Sequence, residues 1–182
     1  MEMGSMERIS LKELLLVDGY NVINDWPELV KIKDDFELAR DRLTDILANY
    51  GGVMEFYIII AFDAHGNDRA EQVYNVTPQL AVVYTGEGET ADSYIEKKAY
   101  NMVRQGYRVY VVTSDQAEQM SVLGSGAYRV SAREFLAEVK RVNRLIADGG
   151  LAAGRDFSGR REVAGRINRE TAKRLDELRR QH

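Results

Sequence analysis

The stretch Leu14-Leu15-Leu16-Val17-Asp18-Gly19-Tyr20-Asn21 constrains the fold more than any other. An unbroken apolar run of this length suits a strand buried on both faces, as in the middle of a parallel sheet. The run stops at Asp18, and Gly19 permits a sharp turn. In open α/β sheets, ligands bind in the crevice outside the carboxyl ends of the strands. Asp18 is therefore the first candidate for chemistry, set against the plainer reading of an Asp that caps a turn.

The same pattern recurs down the chain. Residues 55–62, with Tyr57-Ile58-Ile59-Ile60 at the centre, predict a second buried strand, followed by Asp63. Residues 81–84 predict a short third strand, and residues 107–113 a fourth, with Asp115 just beyond it. Residues 127–130 give a short fifth. Helices are expected between them. One spans 34–50, with Phe36, Ala39, Leu43, Ile46, Leu47 and Tyr50 on one face and Gly51-Gly52 as its stop. Others span 90–105, 115–123 and 131–146. Residues 22–33 contain Trp26-Pro27 and predict irregular structure, as do the Gly-, Asn- and charge-rich residues 64–78. Strands alternating with helices imply an α/β fold with a mostly parallel sheet and helices on both faces, hence three layers.

Parallel strands bring their carboxyl ends to one edge, so Asp18, Asp63 and Asp115 converge there. Asp92 opens the helix after the third strand and joins them, with Glu89 and Glu96 near. Such a cluster is costly unless compensated, and no matching group of Lys or Arg lies on the same loops. A divalent cation is the natural compensation: Mg²⁺ or Mn²⁺ prefers carboxylate oxygens. A metal so held can activate water and stabilise charge on a phosphate. Each acid also has a purely structural role open to it. Asp92 can complement a helix dipole, Asp115 with Glu118 fits a capping box, and Asp63 can close a turn. His65 reads as a loop residue or hydrogen-bond partner rather than a catalyst.

Composition removes several alternatives. The chain has 182 residues and no cysteine, and its two histidines are His65 and His182. Disulfide scaffolds, thiol catalysis and multi-histidine metal sites are excluded. The Gly86-Glu87-Gly88-Glu89-Thr90-Ala91 stretch follows the wrong strand for a dinucleotide fingerprint and places glutamates where pyrophosphate would approach. A haloacid-dehalogenase phosphatase would need an Asp where Tyr20 stands, and there is no P-loop sequence. No transmembrane run is present, so no membrane partner is expected.

Charge divides the chain. Residues 129–182 carry 14 Lys and Arg against 8 Asp and Glu, while residues 1–128 carry 11 against 21. A basic segment on an acidic body points either to an anionic partner or to a solvated, salt-bridged helix.

Taken in order, Leu16-Val17-Asp18-Gly19-Tyr20-Asn21, Phe62-Asp63-Ala64-His65, Glu89-Thr90-Ala91-Asp92 and Thr113-Ser114-Asp115 resemble the NYN branch of the PIN-like nuclease fold. More narrowly, the set is similar to the YacP family of bacterial and plastid proteins. Glu118-Gln119, Gly124-Ser125-Gly126-Ala127 and Ser131-Ala132-Arg133-Glu134 fit it too. The motifs cover about residues 14–146; the tail beyond 149 looks less family-like.

The resemblance implies a PIN-like/NYN fold, placed at 13–147 after an N-terminal extension (1–12). Charge and weak amphipathicity, rather than the resemblance, predict a linker with a basic C-terminal helical extension (148–182). The resemblance implies a ribosome-associated endoribonuclease that cleaves mRNA during translation. A cytoplasmic location is expected, with the plastid stroma left open although no transit peptide is seen. The resemblance further implies catalytic and metal-binding roles for Asp18, Asp63, Asp92 and Asp115, with Mg²⁺ (or Mn²⁺) as cofactor and Asn21 and Glu89 as supporting residues. Arg69, Lys97, Lys98, Arg133, Lys140 and Arg141 are candidates to contact RNA phosphates. Tyr20, Tyr74 or Trp26 could stack on a base. The alternatives are a non-catalytic RNA- or ribosome-binding module with a degenerate site, and a DNA nuclease of the same fold.

Overall fold

The computed structural model describes residues 12–64, 70–114 and 124–149. Strand β1 (Glu13–Asp18) leads directly into helix α1 (Gly19–Asp25), α2 (Pro27–Val30) and α3 (Phe36–Met54). Strand β2 (Tyr57–Phe62) follows, then β3 (Gln72–Thr77), β4 (Leu80–Tyr84), α4 (Ala91–Arg104), β5 (Arg108–Val112), β6 (Tyr128–Val130) and α5 (Ala132–Ala147). The described strands form one sheet in the order β3-β4-β2-β1-β5-β6. Among them only β3 runs antiparallel to its neighbour.

The apolar runs are continuous because both faces of the sheet are covered. Leu15 and Val17 point to one side with Ile58, Ile60 and Phe62, under α1, α3 and α5. Leu14 and Leu16 point to the other with Ile59 and Ala61, under α4. This is the period-2 alternation of a strand, with an apolar residue at every position. β1 is central, paired with β2 and β5.

Four sequence expectations are corrected. Residues 22–33 are not irregular: α1 begins at Gly19, capped by the Asp18 side chain. Trp26 ends that helix and Pro27 opens α2, where its missing N–H costs nothing. Gly51-Gly52 does not stop α3, which continues to Met54 and ends at Glu55 in the left-handed region (φ 56°). Gly51 is buried where a Cβ would meet Ile58 at 3.0 Å, so it serves close helix–sheet packing. Within 64–78 lies β3, an antiparallel edge strand joined to β4 through Pro78 and Gln79. Phe36, expected on the buried face of α3, is instead 47% exposed. The helix expected at 115–123 and the C-terminal extension lie outside the described residues.

Candidate active site

Asp18 is the last residue of β1 and the N-cap of α1, and it is 5% exposed. Its Oδ1 accepts the Asn21 backbone N–H at 3.0 Å, and its Oδ2 accepts Asn21 Nδ2 at 2.8 Å. Asn21 thus fixes both carboxylate oxygens, each of which has further lone-pair capacity. Gly19 is required here for space rather than for a turn: its φ is not positive, and a Cβ would overlap the Phe62 ring.

Asp63 immediately follows β2. Its Oδ1 accepts the Ala91 backbone N–H at 2.6 Å, the first amide of α4. This bond ties the end of β2 to the N-terminus of α4, with Asp92 the next residue along. Asp92 is exposed in the first turn of α4, which Thr90 caps by accepting the Ser93 N–H at 3.2 Å. The positive end of the α4 dipole faces both carboxylates and offsets part of their repulsion. Buried Thr85 supports the same loops, its Oγ1 accepting the Ala64 N–H at 3.3 Å.

Asp18, Asp63 and Asp92 therefore lie along the edge where the parallel strands end. Asp115, His65 and Arg69 lie outside the described residues. Among the described residues no three acids close into a metal-holding group. The donor set still suits Mg²⁺ or Mn²⁺, being oxygen-only, and the hydrogen bonds to Asp18 and Asp63 occupy only part of each carboxylate's capacity.

Asp25, passed over in the sequence, sits beside this edge. Its Oδ2 accepts a hydrogen bond from Ser114 Oγ at 3.1 Å, just past the end of β5. The available signal was an acid seven residues after Asp18, at the far end of the helix that Asp18 caps. Reading the segment as irregular concealed it.

The candidate phosphate-binding cations are not gathered into one patch. Lys97 and Lys98 are on α4, and Arg133, Lys140 and Arg141 on α5, across the sheet. Lys97 pairs with Glu89 at 3.3 Å, an exposed contact of small energetic weight. Arg141 holds Glu138 through two bonds of 2.8 and 2.9 Å. Trp26 is not available for base stacking. It is fully buried, with its indole N–H donating to the Ala132 carbonyl at 2.8 Å.

Beside the acids, a cleft of about 600 Å³ runs between α3 and the β3–β4 hairpin. Tyr20, Phe36, Tyr74 and Tyr84 line it with Arg40, and Asp63 stands in its wall. Burial raises the Tyr84 hydroxyl's pKa, with the nearby Arg40 guanidinium opposing.

The sequence matches the YacP-like NYN domain over residues 15–180. The chain belongs to that family. The match runs past residue 146, so the tail is part of what aligns with the family, contrary to the impression its residues give. YacP from Bacillus subtilis (strain 168), described as an uncharacterized protein, is 42% identical over 135 residues. That alignment covers 74% of this chain and 79% of the relative. Crystal structures of Rae1 (YacP) from Bacillus subtilis superpose with a TM-score of 0.65. A mutant form is 36% identical, covering 91% of this chain and 99% of that one. The second structure is 35% identical, covering 92% and 95%. The fold is therefore that of a nuclease-like family. No helix among the described residues is long and apolar enough to cross a membrane.

Proposed function

We infer that this protein is a metal-dependent endoribonuclease that acts on mRNA at the ribosome. The observation carrying this reading is the bond from Ala91 N–H to Asp63, which sets Asp92 on the strand-end edge that also holds Asp18. Membership of the YacP-like NYN family supports it.

Asp18, Asp63, Asp92 and Asp115 would hold Mg²⁺ or Mn²⁺. When bound, such an ion activates a water and stabilises the charge of an in-line displacement at phosphorus. Asn21 orients Asp18 through its backbone and side-chain N–H groups. Asp63 orients the first turn of α4 and with it Asp92. Exposed Asp92 is open to a strand lying across the edge.

Both Asp18 and Asp63 also do what helix-capping acids do. A purely structural role, in a non-catalytic RNA- or ribosome-binding module, is therefore the competing reading. Substitution by Asn separates the two, because Asn caps helices as well as Asp while removing the charge. In a translating extract with Mg²⁺, the wild type should cut mRNA at discrete positions and chelation should stop it. Asp18→Asn and Asp92→Asn should leave the fold intact and lose at least about a hundredfold in single-turnover cleavage. That loss corresponds to about 2.7 kcal/mol of transition-state stabilisation. Wild-type rates in both variants would refute the assignment. Competition with DNA tests the choice of nucleic acid.

A further inference from the structure

We propose that the cleft between α3 and the β3–β4 hairpin is a nucleobase subsite, receiving unpaired bases of the single-stranded RNA whose backbone crosses the acidic edge. This deepens the endoribonuclease reading and rests on it.

The cleft adjoins the candidate active site, since Asp63, Ala64 and Thr85 are among the residues that line it. Much of the rest of its lining is aromatic. Tyr20 meets Phe36 edge-on at 5.5 Å, and Tyr74 meets Tyr84 edge-on at 5.9 Å. Phe36 and Tyr74 are 47% and 53% exposed, a large apolar area to leave in water beside a polar edge. On β3 the residues facing the cleft alternate, Gln72, Tyr74 and Val76, so one side of the strand is given to it. Arg40 lies 5.6 Å over the Tyr84 ring, its cation stacked on an aromatic face at the wall.

This combination fits a base better than a phosphate. Rings stack on the face of any base, whatever its sequence, and Gln72 and Tyr74 Oη, bonded to each other at 3.1 Å, present polar atoms within reach of a base edge. Asp41 also lines the cleft and repels phosphate, which would keep the backbone outside it. A duplex has its bases stacked inside and could not enter. The volume lies within the usual range for small-ligand sites.

The test measures anisotropy of labelled RNA on the full-length protein in chelator, where no cutting occurs. The probes are a short mixed-sequence single strand, the same strand made abasic, and its duplex. Wild type should bind the base-bearing strand about tenfold tighter than either control, within the range for one base on one ring. Tyr74→Ala and Arg40→Gln should lose most of that margin, while Tyr74→Phe keeps it. Equal affinity of the wild type for all three probes would overturn the proposal, as would an undiminished margin in Tyr74→Ala. A parallel cleavage assay in a translating extract with Mg²⁺ separates the two readings. Cutting without a base margin refutes the subsite alone. A base margin without cutting refutes the nuclease reading and leaves the subsite standing.

Discussion

Asp18 shows how one residue can serve structure and chemistry together. Its carboxylate caps α1 and is gripped by Asn21, so its orientation is fixed before any ligand arrives. Preorganisation of this kind is what a metal ligand needs. Gly19 protects the arrangement. The sequence alone suggested a turn glycine, and the structure shows a packing glycine pressed on Phe62. The two are indistinguishable in a sequence, because both present simply as a Gly after a strand. They differ in what substitution does. A turn glycine in a left-handed conformation would tolerate Asn, whereas Gly19→Ala or Gly19→Asn should each drive a side chain into the Phe62 ring. We expect Gly19→Ala to cost about 1–3 kcal/mol, the usual range for overpacking. Thermal unfolding should show a midpoint several degrees lower, at about 2–4 °C per kcal/mol for a chain of this size. Cleavage should also fall, because Asp18 is the adjacent residue. An unchanged midpoint would mean the ring moves aside freely.

Among the elements, those with a strong apolar period were legible and those without one were not. α5 is the clearest case. Ser131 and Glu134 form a reciprocal capping box, with Glu134 N–H to Ser131 Oγ at 3.2 Å and Ser131 N–H to Glu134 Oε2 at 2.8 Å. Phe135, Val139 and Val142 follow on the buried face. β3 is the opposite case. Its residues are exposed or half-buried, so it lacks the apolar signal that marks the central strands. The capping box yields a prediction with a pH signature. Partial burial raises the Glu134 carboxyl, but the Ser131 hydrogen bonds and nearby Arg129 outweigh it and hold its pKa below the ordinary 4.5. The unfolded chain therefore takes up this proton first as pH falls. Glu134's contribution is complete above about pH 4.5 and disappears as pH falls through the lower folded value. Ser131→Ala should cost about 1 kcal/mol at neutral pH. Glu134→Gln should cost less, and its deficit against wild type in urea melts should close in acid. A deficit that is constant from neutral pH to about pH 3 would show that the charge contributes nothing.

At the scale of the molecule, the layering and the converging strand ends could be read from the apolar runs and the acids that follow them. The location of an aromatic cleft could not, because Tyr20, Phe36, Tyr74 and Tyr84 come from four separate segments that only the tertiary fold assembles. Charge distribution is the remaining large-scale feature legible in the sequence. The body carries the acids, and residues 129–182 carry the excess of Lys and Arg. Within the described residues the α4 and α5 cations lie on opposite sides of the sheet, with Lys97 and Arg141 already paired to glutamates. They therefore do not form a single track for a phosphate backbone. The basic tail is the better source of non-specific attraction, since each phosphate neutralised releases counterions. Ending the chain at residue 148 removes 9 Lys and Arg and 5 Asp and Glu. We expect the truncated protein to bind single-stranded RNA more weakly at moderate salt. The slope of log affinity against log salt should also become shallower, by about 0.7 for each phosphate that is no longer neutralised. Its preference for base-bearing over abasic strands should persist, because that preference belongs to the cleft. If truncation leaves the salt slope unchanged, the tail does not touch the backbone, and the attraction must come from cations on the folded body.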